Sequence, residues 1–236
     1  MTPGWTAPGD YDPPPALRGD RARLERLDPR HAAPLWDAVR GHDAVWQWLF
    51  DGPFETPAAF GAWVEAKSAS VDPAFYAVHD GASWTGVASL MRIDRAHGVI
   101  EVGNILFAPA LQRTAAATEA IALLAGHVFA SGFRRFEWKC NVLNAPSRRA
   151  ALRFGFTYEG TFRQHMVVKG RSRDTAWFSI VDGEWPVIEA AYRGWLGGSN
   201  FDAEGRQRRS LSALTAAALK TVRANCLHRP RDQWMS

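Results

Sequence analysis

Only two of the 236 residues are cysteine, Cys140 and Cys226, and they form no CxxC pair. That is too few for a disulfide framework and fits free thiols in a reducing compartment. No apolar run approaches the roughly 20 residues that span a bilayer. The first twenty residues, MTPGWTAPGDYDPPPALRGD, lack the basic-then-apolar order of a secretory signal. A soluble, unexported, cytoplasmic protein is the expectation. Neither a dinucleotide-type GxGxxG nor a P-loop GxxxxGK occurs, and no segment repeats at a fixed period. Charge of one sign is scarce too: a formal +4 and a pI near 9.4 suit an anionic ligand or an acidic partner. They fall far short of a nucleic-acid-binding surface.

What is present suffices for one domain with a sizeable core, since 47% of the chain is hydrophobic. Residues 1–16 carry Pro3, Pro8, Pro13, Pro14 and Pro15, too many fixed φ angles and missing donors for regular structure, so an extended arm is expected. The core starts near Leu17 and runs to 196. Beyond it, GGSNFDAEGRQRRS (197–210) reads as a solvated linker, and LSALTAAALKTVRANCL as a short amphipathic helix.

Inside the core, residues 29–49 and 57–69 have helical patterning. AFYAVHD, SWTGVASLMRID and GVIEVGNILF then read as three successive strands joined by the turns DGA and RAHG. A helix from 115 to 130 shows an apolar stripe at Ile121, Leu124, Ala125, Val128 and Phe129, Ser131-Gly132 ends it, and FRRFEWKCNV is a further strand. Strand-helix-strand order makes a parallel pairing there the expectation. Asn144 caps a short helix with Pro146 in its first turn and Gly155 at its end, and TYEGTFRQHMVVKG with SRDTAWFSIVDGEW forms a final hairpin. The fold class is α/β with a mixed sheet.

The stretch LQRTAAATEA (111–120) lies between a strand and a helix start. The first N–H groups of a helix have no internal partner and form a ready site for phosphate oxygens. Alanines admit a close approach, Thr114 and Thr118 offer hydroxyls, and Gln112 and Arg113 offer a polar and a charged donor. An ordinary alanine-rich helix start capped by Thr114 is the plainer alternative.

Together with NAPSRRAALRFGF (144–156), the strand EWKCNVLN and the acidic strand GVIEVGNILF, this stretch resembles the GNAT superfamily of acetyl-CoA-dependent N-acetyltransferases, and within it the RimJ/RimL type. The resemblance spans roughly 17–196. It implies a mixed, mostly antiparallel central sheet, splayed between strands 99–107 and 134–142 and flanked by helices. The pantetheine arm of acetyl-CoA would lie in that opening beside Ile105 and Phe107, with the pyrophosphate on Gln112, Arg113, Thr114, Ala115, Ala117 and Thr118. Ala115 and Ala117 stand where the family pattern has its glycines. Asn144 matches the family's coenzyme-contacting asparagine, and Ser147 a serine common in RimL-type members. Where many relatives carry a tyrosine acid, this chain has Ala151, so Ser147 is the candidate for the departing thiolate, against an ordinary helix first turn. Arg148, among Arg148, Arg149 and Arg153, is the candidate for a phosphate. No metal is implied.

The chemistry implied is attack of a neutral amine on a thioester, which needs a base. Glu101, mid-strand between Ile100 and Val102, is either that base or a structural ion pair or water anchor. His165 in RQHMVVKG is the reserve. Backbone N–H groups at 103–107 would meet the oxyanion. Cys140 reads as an inert thiol. Trp46, Trp48 and Phe54, with Trp63, fall where this family walls its acceptor, or else in the core; Asp43, Asp51 and Glu55 keep a cationic acceptor open. The leading expectation is acetylation of a protein or peptide N-terminus by direct attack in a ternary complex. A small-molecule amine (antibiotic, polyamine or amino-acid derivative) comes second. A non-catalytic acyl-CoA-binding module is the third, with a nucleic-acid partner held by Arg206, Arg208 and Arg209 unlikely in view of Asp202 and Glu204; a homodimer is open.

Overall fold

The computed structural model describes residues 5–227. Eight strands form one sheet in the order β1-β2-β3-β4-β5-β6-β8-β7. β1 (Ala16–Arg18), β2 (Arg23–Arg26), β3 (Ala74–His79), β4 (Trp84–Asp94) and β5 (Val99–Phe107) run antiparallel in sequence order. β6 (Arg135–Asn141) then pairs parallel to β5, and β7 (Thr157–Val168) and β8 (Arg171–Val181) close the far edge. The parallel step requires a crossover, and α3 (Ala115–Ala130) supplies it.

The sheet is covered on both faces, and β3 shows why. Its side chains alternate between layers: Ala74, Tyr76 and Val78 join the larger core beneath α3, while Phe75 and Ala77 join a second core with Leu35, Val39, Phe60 and Val64. The latter four come from α1 (Ala32–Val39) and α2 (Pro57–Ser68). The larger core also takes in α4 (Ala145–Arg153) and α5 (Trp185–Leu196), through Ala151, Ile188, Tyr192 and Trp195.

Three expectations need correction. The helical pattern over 29–49 is not one helix: Arg40 turns to ψ 134°, Gly41 takes φ +75°, and the chain resumes as a 3-10 turn at Asp43–Trp46. Glycine adopts that φ without steric cost, so the apolar periodicity continues across a real break. The hairpin of β1 and β2 had no strand-like signal; it is held from outside, because the buried Glu119 carboxylate of α3 accepts from the Arg21 and Ala22 amides at 2.6 Å each. Residues 197–210 do not behave as a free linker. Asn200 is buried and bonds the Trp195 and Arg209 carbonyls, the Trp195 indole donates to Gln207, and Leu211 and Thr215 of α6 (Leu211–Leu227) are buried. Side-chain bonds across the turn, invisible to periodicity, fold the tail onto α5. The side chain of Cys226 and residues 228–236 lie outside the described residues.

The proline-rich arm, described from Trp5 onward, carries no helix and no strand before β1, yet it is packed. Tyr11 sits edge-on to Phe133, and the Pro14 carbonyl accepts from the buried Tyr76 hydroxyl. No helix among the described residues is long and apolar enough to cross a membrane.

Candidate active site

The site begins where sheet pairing fails. β5 and β6 pair in register only from Val99 with Arg135 to Val102 with Trp138. Beyond that, β5 stays with β4 and β6 with β8, so the two diverge. A bulge in β5 reinforces the divergence: Ser89 faces Gly103, Val87 faces Leu106, and Asn104 between them takes φ +50°. The Asn104 amide donates to the Ser89 hydroxyl, which holds the bulge in place. A bulge leaves strand amides without ladder partners, and the bulge residues Gly103, Asn104 and Ile105 line a cleft of about 1070 Å³.

One half of this cleft is built from backbone and small side chains. The turn after β5 is closed by the Gln112 side chain on the Phe107 carbonyl, and its left-handed residue is Arg113, at φ +65°. The strained position therefore precedes the helix, and Ala115 is an ordinary first helical residue that needs no glycine. Thr114 caps α3 by accepting from the Ala117 amide, which leaves the amides of Ala115 and Ala116 without an intrahelical partner. The Thr118 hydroxyl is already engaged, by the Thr114 carbonyl and by the Arg153 guanidinium at 3.0 Å. Arg153 lies over the Phe154 and Trp195 rings and lines the cleft, and burial lowers its proton affinity. Arg148, the arginine expected from the sequence, is turned to the Val142 carbonyl and does not line the cleft. On a short helix the two side chains are five residues apart and point apart.

At the middle, Asn144 caps α4 by accepting from the Ser147 amide, which fixes Ser147 in the first turn. The Ser147 hydroxyl accepts from the Trp138 indole at 3.0 Å and is hydrogen-bonded to the Cys140 thiol. None of the four tyrosines lines the cleft, and Ala151 is fully buried. Cys140 lies beside Ser147, and burial pushes its thiol up, away from reactivity.

The other half is built from charged side chains of five strands. Glu101 is 5% exposed, its Oε2 is 2.9 Å from Lys139 Nζ and 3.4 Å from Arg92 Nε, and burial raises its proton affinity while Lys139 opposes that. Lys139 also meets Glu137 at 2.6 Å and lies 3.7 Å over the Trp177 ring. A bulge in β7, with Gln164 at φ +48°, swings His165 into the cleft, where its Nδ1 is 3.0 Å from the Thr175 hydroxyl. Partial burial and then Arg92, Arg173 and Lys139 lower the imidazole's proton affinity, which favours its neutral form. Arg173 completes the set, 8% exposed.

Of the aromatic residues expected at the acceptor end, only Trp48 lines the cleft. Trp46 is edge-on to Phe54, Trp63 and Phe60 in the second core, and Phe54 is edge-on to Phe60. Phe50 lines the cleft instead, and the stretch that carries it is tied to the final hairpin by Lys169 Nζ, which donates to the carbonyls of Trp46, Asp51 and Gly52. Asp51 is spent on the Trp63 indole and on Lys67, and Asp43 and Glu55 do not line the cleft. Arg92, Asn104, Lys139 and Arg173 were missed in the sequence, and Arg153 was named in its basic cluster but passed over for Arg148. Lys139 had a signal, as a charge in register with Glu137 two positions earlier on a strand; the others had none.

A splayed sheet with a helix start at one end and a charged acceptor basin at the other is the build of a coenzyme-dependent acyltransferase. The family model of the acetyltransferase (GNAT) domain matches residues 21–157, and the chain belongs to that family, whose members use acetyl-CoA. It is similar to the crystal structure of a GCN5-related N-acetyltransferase from Brucella melitensis, with 46% identity over 87% of this chain and 96% of that one, and a TM-score of 0.85. A probable acetyltransferase of the GNAT family from Chromobacterium violaceum is also 46% identical, covering 79% of this chain and 95% of that one at a TM-score of 0.73. RimL, a ribosomal L7/L12 α-N-protein acetyltransferase, is 22% identical over 70% of this chain and 93% of that one; its TM-score of 0.62 is a likeness of fold alone. No curated protein matches the sequence. Among the described residues no cluster of His, Cys, Asp or Glu could hold a metal ion.

Proposed function

We propose that the protein transfers an acetyl group from acetyl-CoA to a primary amine, with His165 as the base. One observation carries the reading: the His165 imidazole and the Ser147 hydroxyl line the same cleft, into which the unpaired stretches of β5 and β6 open. Acetyl-CoA supplies the acetyl thioester when bound. The residues present fit it: amides of Ala115 and Ala116 with Arg113 and Arg153 for the phosphates, and the diverging strands at Ile105 and Phe107 for the arm.

In the tautomer whose Nδ1–H donates to the Thr175 hydroxyl, His165 keeps Nε2 as the acceptor of the amine's proton. Glu101 suits that role less, because its carboxylate is committed to Lys139; it holds Lys139 and Arg92 in place instead. The bulge amides near Asn104 are the donors assigned to the negative charge that develops on an acetyl oxygen. Ser147, fixed by Asn144 and Trp138, returns a proton to sulfur.

The acceptor is an amine at the end of a peptide or on a small molecule of amino-acid type, as in the RimJ/RimL resemblance. Transfer to a polyamine is disfavoured because Glu101 is the one carboxylate among the residues lining the cleft, against Arg92, Arg113, Lys139, Arg153 and Arg173. Binding of nucleic acid through the tail has little support: Arg206 is paired with Asp202 and Glu204.

The test is calorimetric binding of acetyl-CoA, followed by thiol release against a panel of amines and peptide N-termini, with His165→Asn beside the wild type. Amine-dependent release that collapses in the variant supports the reading. Tight binding with no release for any amine would leave an acyl-CoA-binding module.

A further inference from the structure

Arg173 is the unexplained charge of this cleft. It lies on β8, is more than nine-tenths buried, and lines the cavity. Among the described residues no carboxylate comes within ion-pairing distance of it, and its Nε has no hydrogen-bond partner. The Phe50 ring lies 5.6 Å from the guanidinium, and Glu101 acts on it only at longer range, without an ion pair. Every other cation of the acceptor half is matched: Lys139 by Glu101 and Glu137, Arg92 by Glu101. A buried guanidinium without an anion is costly, and proteins keep such groups where a ligand supplies the missing charge.

Its position says what that ligand carries. Arg173 and Thr175 are two residues apart on one strand and so share a face, separated by one pleat repeat of roughly 7 Å. Thr175 is the residue that holds His165. The unmatched cation and the base therefore stand side by side, with Trp48, Phe50 and Met166 as an apolar wall. We propose that Arg173 binds a carboxylate of the acceptor, and that the acceptor is an amine bearing a carboxylate within a few bonds of the nitrogen. Either a free amino acid or an acidic first residue of a peptide presents that chemistry. The inference rests on the transfer reading above and narrows it.

Two matched pairs of acceptors separate the sources. Leucine against leucinamide reads a free α-carboxylate; glutamyl-leucinamide against glutaminyl-leucinamide reads an acidic first residue. In the wild type the anionic member of one pair should be preferred in kcat/KM by ~10-fold or more, the scale of a charge-assisted contact. Arg173→Gln should reduce that preference to about twofold, a ratio within each pair that cancels any general change in the base, and Arg173→Lys should restore part of it. Equal use of both members in both pairs by the wild type would overturn the inference. So would an Arg173→Gln variant that keeps the wild-type preference ratio in both pairs. If no amine releases thiol, the transfer reading fails separately. Calorimetry of the same pairs on acetyl-CoA-loaded protein then still decides: an anionic preference lost in Arg173→Gln supports the carboxylate site, and no preference rejects it.

Discussion

The two halves of the cleft are made of different materials. The coenzyme half is backbone: a helix start, a bulge, a pair of diverging strands, with alanines that matter for being small. The acceptor half is side chain: Arg92 from β4, Glu101 from β5, Lys139 from β6, His165 from β7 and Arg173 from β8. Backbone geometry recurs wherever the local pattern recurs, so the first half is shared by a family. A cluster assembled across five strands changes with any one of them. The family model match ends at residue 157, before the hairpin that supplies His165 and Arg173.

The sharpest way to break this contrast is at His165. His165→Asn should lower kcat by ~10²–10³-fold, the range of a lost proton-transfer group, with acetyl-CoA affinity intact. The wild-type kcat/KM should lose activity on the acid side with a midpoint below the ordinary imidazole value, because protonation removes the base and the folded site disfavours the imidazolium. That limb should vanish in the variant. An unchanged limb would assign the base elsewhere.

Ala115→Asp tests the other half in the opposite way. A carboxylate at the first helical position suits the helix by about 0.3–1 kcal/mol but repels phosphates. Acetyl-CoA should bind ~10–30-fold more weakly, equivalent to about 1.4–2 kcal/mol, while the melting temperature holds or rises. Loss of both would mean that the alanine serves packing alone.

Glu101→Gln should cost activity ~10-fold or less, short of the range for a direct base. Its pH signature is in stability. Burial raises the proton affinity of Glu101 in the folded state, so between the ordinary glutamate range and that raised value the folded protein holds more protons than the unfolded one. Wild-type stability must therefore fall as pH rises through that window, and Glu101→Gln lacks this decline. Melting curves across pH should show the variant gaining relative to the wild type. A gap that widens the other way would show that the carboxylate is held ionised by Lys139.

The smallest effect belongs to the arginines of α4. Arg153→Ala should weaken acetyl-CoA binding several-fold, by loss of one charge-assisted contact, whereas Arg148→Ala should leave it within about twofold. Equal effects would move the phosphate site toward Arg148.

How much could be read from the sequence follows the same division. The strands from β3 onward, α3, α4 and the Asn144 cap were legible because periodicity and capping chemistry are local. Leu196 as the end of the core was not, since Asn200 and Gln207 hold the tail by side-chain bonds. Trp46, Trp48 and Phe54 show the limit for aromatic residues: composition marks them, but Gly41 and the 3-10 turn decide which one faces the cleft. Arg173 and Arg148 show it for charge. One of them is surrounded by other charges in sequence yet buried alone, and the other sits at a helix start and faces away.

The short parallel register between β5 and β6 has a consequence for the protein at rest. Beyond Val102 and Trp138 the molecule contains two sheet edges that face each other without touching, an interior seam left open. Open edges elsewhere invite unwanted strands; this one is shielded by α3 and α4 and admits only something slender. A ligand threaded there completes the sheet, so occupancy should tighten the whole molecule. Stability would then climb with ligand concentration as RT ln(1 + [L]/Kd), making a melting curve a direct gauge of how full the seam is.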